Sequence, residues 1–138
     1  MKLNNNTLIF FLRKKRLLRR IVDTNYNNKI YIFIKYRNAI QSIIGEIRGV
    51  IDEDANHLYI ARIDVIPSFQ KRGIGSCLLN DICQYAKKHH QMKRFRLISH
   101  LGAVKFYRKN GFKYLNKKQL NYVRLRKNES IELIKRIY

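Results

Sequence analysis

IARIDVIPSFQKRGIGSCLL, residues 60–79, carries a strand, a turn and the opening of a helix in immediate succession. Residues 58–66 are apolar and β-branched and predict a buried strand, stopped by Pro67. Gln70-Lys71-Arg72-Gly73-Ile74-Gly75 follows, and Ile74, Cys77, Leu78, Ile82 and Tyr85 then recur at helical spacing. The first N–H groups of a helix have no intrahelical acceptor and lie at the positive end of its dipole. Two glycines there let a phosphate approach the backbone, and Lys71 and Arg72 add positive charge. On its own, the G-x-G opening equally describes an ordinary tight strand–helix turn. A P-loop is excluded because G-x-x-x-x-G-K-[ST] is absent. The dinucleotide fingerprint is excluded because its third glycine would fall where Cys77 and Leu78 stand.

Working outward, 138 residues fit one domain with a single core, spanning 1–138. No apolar run approaches the roughly 18 residues of a membrane span. The longest N-terminal one, residues 8–12, is shorter than a signal peptide's apolar region. The expectation is a soluble, intracellular (cytoplasmic) protein without a membrane partner. Cys77 and Cys83 are six apart in one helical pattern and so cannot bridge each other; Cys77 is expected to be packed and Cys83 peripheral. No cluster has metal-ligand spacing, so no metal is expected.

The net charge is +21, with 18 basic and 3 acidic side chains in residues 70–138. A chain this basic is drawn to polyanions, so weak nucleic-acid binding is one expectation and a merely solvated basic surface the other. Residues 8–12 predict a first strand and residues 13–22 a short basic amphipathic helix, with Leu17, Leu18, Ile21 and Val22 on one side. Residues 23–28 read as a turn. Residues 29–37 (KIYIFIKYR) and 41–51 predict paired strands, Gly45 or Gly49 marking a bulge. Residues 94–99 predict a strand and 102–110 a short helix closed by Gly111. Residues 112–116 and 121–126 predict two further strands, and residues 129–138 a terminal helix.

V-x-P-x-x-Q-x-x-G-x-G, from Val65 to Gly75, resembles the acetyl-CoA pyrophosphate motif of the GNAT superfamily of N-acetyltransferases. Ala103 to Phe112 (AVKFYRKNGF) is similar to that family's A-x-x-F-Y-x-x-x-G-F segment, in the right order downstream. The resemblance covers about residues 58–114 and marks a short, strongly basic member. It implies an α/β fold, a mixed central sheet of six or seven strands with helices on both faces. It also implies acetyl-CoA as co-substrate, wedged between the strand at 58–66 and that at 94–99. Ile63, Asp64 and Val65 would pair with the pantetheine arm. Gln70, Lys71, Arg72, Gly73, Ile74, Gly75 and Ser76 would hold the pyrophosphate.

The amine would then attack the thioester directly, without a covalent enzyme intermediate. Tyr107 stands where the family places a general acid for the leaving thiolate; core packing is the alternative. For the base the resemblance offers Tyr59, then His100, then Asp64. Asp64, five residues from Tyr59, is expected to point to the opposite face unless a bulge intervenes. A weak base favours an α-amino acceptor near pKa 8 over a lysine near 10.4. Family members carry two helices between their first and second strands, and about 16 residues here hold one. The acceptor side is therefore expected to be open or completed by a second subunit in a homodimer. Two alternatives follow: toxin-like acetylation of aminoacyl-tRNA, or a catalytically weak module binding nucleic acid or an acidic partner.

Overall fold

The computed structural model describes residues 16–52, 54, 56–115 and 130–137. They form a mixed sheet of β1 (Leu18–Tyr26), β2 (Lys29–Arg37), β3 (Ile43–Asp52), β4 (Leu58–Val65), β5 (Arg94–His100), β6 (Lys113–Tyr114) and β7 (Ser130–Arg136). The order across it is β1-β2-β3-β4-β5-β7-β6. β1 to β4 are an antiparallel meander, and helix α1 (Ile74–His90) crosses from β4 to its parallel neighbour β5. Helix α2 (Val104–Lys109) follows β5. Among the described residues, no helix is long and apolar enough to cross a membrane.

The alternation of β2 builds the core: Ile32, Ile34 and Tyr36 are buried on one face, while Tyr31, Phe33 and Lys35 line the other. α1 presses on the first face through two glycines. A Cβ on Gly49 would lie 2.8 Å from Leu58 Cδ1 and 2.9 Å from Ile82 Cδ1, and one on Gly45 3.1 Å from Leu78 Cδ1. Lys135, on the same face of β7, donates from Nζ to the Asn110 carbonyl at 2.7 Å, and so holds the end of α2 where Gly111 (φ +92°) turns the chain. Both described helices therefore lie on that one face. The expectation of helices on both faces is met on this side among the described residues.

The helix expected over residues 13–22 is not formed where the structure describes it, because residues 18–22 belong to β1. The alternation of Arg19 and Asp23 is what wins. Arg19 Nη1 donates to Asp81 Oδ1 of α1 at 2.8 Å, and Asp23 Oδ2 accepts from Tyr85 Oη at 2.9 Å. The turn expected over residues 23–28 shrinks to Asn27 and Asn28, whose φ of 51° and 59° are those of a two-residue type I′ hairpin. No helix separates β1 from β2.

The tail expected as helix is β7. Ile131, Leu133 and Lys135 alternate inward, and the strand pairs with β5 along its whole length. Cys83, expected at the periphery, is fully buried, because Leu79, Asn80 and Ala86 beside it are enclosed as well. The strands expected at residues 8–12 and 121–126 lie outside the described residues.

Candidate active site

β4 and β5 pair at three positions: Leu58 with Phe95, Tyr59 with Arg96, and Ile60 with Leu97. Beyond them β4 continues beside β3 alone and β5 beside β7 alone, so the sheet forks. The fork begins at a bulge. Ile60 lies opposite Gly49 and Arg62 opposite Arg48, leaving Ala61 as the extra residue. The bulge shifts the side-chain parity, so Ile60, Ile63 and Val65 keep facing α1 while Tyr59, Arg62 and Asp64 share the open face. Asp64 thus joins Tyr59 on one face instead of opposing it. It is ion-paired with Arg62 there.

Ile66 N donates to Ile44 O at 3.0 Å. Strand alternation then turns the N–H groups of Ile63 and Val65 away from β3, into the fork. Gln70 Nε2 donates to Val65 O at 2.9 Å, tying the head of the following loop to the end of β4. That loop passes through a 3-10 turn (Pro67–Phe69) and enters α1 with Lys71 and Gly73 at φ of 61° and 83°.

Among the described residues no side chain caps α1, and no acid stands in its first turn. The N–H groups of Ile74, Gly75 and Ser76 therefore have no helical acceptor. Nothing lies within 4 Å of a Cβ built on Gly73, so the space above the turn is open. Lys71 and Arg72 are exposed beside it, Arg72 lying 5.3 Å from the Phe69 ring centroid. Gly75 is different. A Cβ there would come 3.0 Å from Phe106 Cζ, so this glycine also seats α2 against the loop. Motif spacing did not reveal that packing.

Tyr107 of α2 is half-buried, in edge-to-face contact with Phe106 at 5.1 Å and Phe112 at 6.0 Å between centroids. Burial, and secondarily the charge of Asp64, push its phenol above the usual value. It is therefore a protonated donor throughout the neutral range. Its hydroxyl makes no hydrogen bond among the described residues. Tyr59 lies at the closed end of the fork, beside Arg96. His100 is exposed at the end of β5, and its carbonyl accepts from Ser99 Oγ at 2.7 Å.

The arrangement thus consists of an open turn with uncapped helix N–H groups at the mouth of a fork, strand edges along it, and Tyr59 where it closes. The missed bulge had a sequence signal. Leu58 and Ile60 are even-numbered and Ile63 and Val65 odd-numbered, a break in alternation that only an extra residue reconciles.

Residues 6–112 match the model of the Acetyltransferase (GNAT) family. The chain is 27% identical to "Probable N-acetyltransferase san" of Drosophila melanogaster, covering 80% of this chain and 67% of that protein. It is 28% identical to "N-alpha-acetyltransferase 50" of Danio rerio, covering 80% and 73%. An acetyltransferase from Bacillus cereus superposes with a TM-score of 0.67 at 21% identity over 96% of this chain and 87% of that one. Tetrahymena GCN5 does so with 0.62 at 18% identity over 78% and 69%.

Proposed function

The chain belongs to the acetyltransferase (GNAT) family, and from that premise we propose that it moves an acetyl group from acetyl-CoA to an α-amino group. The observation that carries this is the fork with its turn: unpaired strand edges at Ile63 and Val65 lead to free helix N–H groups under an open Gly73. The residues fit the group. Lys71, Arg72 and the N–H groups of Ile74, Gly75 and Ser76 would hold its pyrophosphate, while Ile63 and Val65 would hold its amide arm. Bound there, acetyl-CoA would supply an activated thioester.

The amine nitrogen forms a bond to the acetyl carbon as the carbon–sulfur bond breaks. An N–H of Ile63 or Val65 would stabilise the developing oxyanion. Tyr107 Oη would give a proton to the leaving thiolate, while the amine's proton would pass to water held by Tyr59 or, as the second candidate, to His100. Asp64 is the weaker candidate because Arg62 holds its carboxylate. An α-amine is the favoured acceptor because, among the described residues, no strong free base faces the fork. The relative named an N-alpha-acetyltransferase supports the same choice.

The test is thiol release from acetyl-CoA with a peptide bearing a free N-terminus, set against the same peptide blocked there and carrying an internal lysine. The free N-terminus is expected to be the better acceptor, and preference for the lysine would overturn the acceptor class. Tyr107→Phe is expected to lower kcat by about 10²-fold or more while leaving acetyl-CoA affinity within about twofold. No calorimetric binding of acetyl-CoA to the unaltered chain would overturn the whole reading.

A further inference from the structure

The face of the sheet that α1 does not cover carries a groove of about 350 Å³, lined by Arg20 and Val22 of β1, Phe33, Lys35 and Arg37 of β2, and Arg48 of β3. Strand register assembles it. Arg20 lies beside Lys35, Val22 beside Phe33, and Phe33 beside Arg48. Four cations thus converge from three strands, with Glu46 beside them and Asp64, paired with Arg62, next to Glu46 on β4. Arg48 takes Glu46 at 3.4 Å, while Arg20, Lys35 and Arg37 form no ion pair among the described residues.

Two further observations point to a ligand. Nε of Arg37 and Nε of Arg48 are enclosed and, among the described residues, lack a hydrogen-bond acceptor. Orphaned donors of this kind are costly unless an acceptor reaches them. The rings of Tyr31 and Phe33 also stand parallel, 7° apart in tilt and 6.5 Å between centroids, and the Arg48 guanidinium lies 5.7 Å from the Phe33 centroid.

We propose that this open sheet face binds single-stranded nucleic acid, its phosphates on Arg20, Lys35 and Arg37 and its bases against Tyr31 and Phe33. Cations that track a backbone beside flat aromatic rings are what a single strand needs. An acidic peptide would use the charges and leave the rings idle. The chain's own N-terminal segment, residues 1–15, carries Lys2, Arg13, Lys14 and Lys15 and no acid, so charge complementarity points to an outside partner.

The test is fluorescence anisotropy with the full chain. The probes are a labelled twelve-nucleotide oligouridylate, the matching oligodeoxythymidylate, a duplex of equal length and an oligoglutamate of equal charge. The two single strands are expected to bind more tightly than the duplex or the peptide, and the better of them names RNA or DNA as the source.

Lys35→Gln with Arg37→Gln should flatten the plot of log affinity against log salt by about 1.4, at roughly 0.7 for each phosphate left without its cation. Lys88→Gln with Lys113→Gln, removing the same charge elsewhere, should not. Phe33→Leu should weaken binding about tenfold at an unchanged salt slope, as the removal of a stacking ring does. Thermal melts establish that each variant folds, and Arg20→Gln, at an exposed position, repeats the charge test where packing is not involved.

Equal slopes for the groove and control pairs would overturn the proposal in favour of diffuse attraction. Equal or tighter binding of the duplex would do the same. Equal binding of oligoglutamate, with Phe33→Leu silent, would overturn it in favour of an acidic protein partner.

Discussion

Asp81 lies in the middle of α1, nearly inaccessible, where its two carboxylate oxygens accept from Arg19 Nη1 at 2.8 Å and Tyr36 Oη at 3.1 Å. Burial raises its pKa, and the Arg19 charge and the two hydrogen bonds offset only part of that rise. An acid whose folded-state pKa stands above its unfolded value, near 3.9, holds its proton more tightly when folded. Its contribution to stability is full below about pH 4 and is lost as pH rises through the raised folded value. Asp81→Asn, which keeps an acceptor for Arg19 and offers Tyr36 Oη an N–H donor in place of the second oxygen, should flatten that fall. Urea midpoints measured from pH 4 to 7 check it; a variant whose curve parallels the parent would assign the fall to other groups. A neighbouring effect falls on Cys77, whose thiol burial pushes up to about 12, so it is expected to resist alkylation in the native state. The turn at Gly73 and the short helix that carries Tyr107 were legible in the sequence because each sits in a motif with short, fixed spacing. Asp81 was not. A polar residue in a helical pattern reads as solvent-facing, and its partner Arg19 arrives only through a strand 62 residues away.

Among the elements, α1 and β3 depend on one another most closely. Gly49 Cα carries no side chain because Leu58 Cδ1 and Ile82 Cδ1 occupy the space a Cβ would take. Gly49→Ala is therefore expected to destabilise by about 1–3 kcal/mol, the usual cost of forcing extra volume into a packed core. Chemical denaturation checks it, and a loss under about 0.5 kcal/mol would mean that α1 slides aside freely. α1, β2 and β5 were legible because each repeats one period cleanly over at least seven residues. β1 and β7 were not, since their apolar and charged residues satisfy both the helical and the two-residue period. Partners decided between them: Asp81 and Asp23 tie β1 to α1, and all of β5 lies beside β7. The Asn27-Asn28 pair was nevertheless a hairpin signal in plain view, since asparagine tolerates the left-handed backbone that a type I′ turn demands.

At the scale of the whole molecule, the sheet is two half-sheets, β1 to β4 and β5 to β7, joined by three residue pairs and bridged by α1. Native-state hydrogen exchange should follow that division. Amides of Ile32, Ile34 and Ile47 are expected among the slowest, and those of Ile63 and Val65, lacking a strand partner at the fork, among the fastest of the sheet. Added acetyl-CoA should slow the latter pair, and protection there without it would mean that the fork closes by itself. The direct turn at Asn27 and Asn28 bears on how the protein is made. With no helices interposed, four strands can pair through contacts between chain neighbours as soon as residue 65 has been synthesised. Their apolar face, led by Ile32, Ile34, Ile47 and Ile60, then waits for α1, which ends 25 residues later. At about 5–20 residues per second that interval lasts roughly one to five seconds on the ribosome. Throughout it the nascent chain presents a bare hydrophobic sheet, and its yield in the cell depends on what shields that surface until α1 arrives.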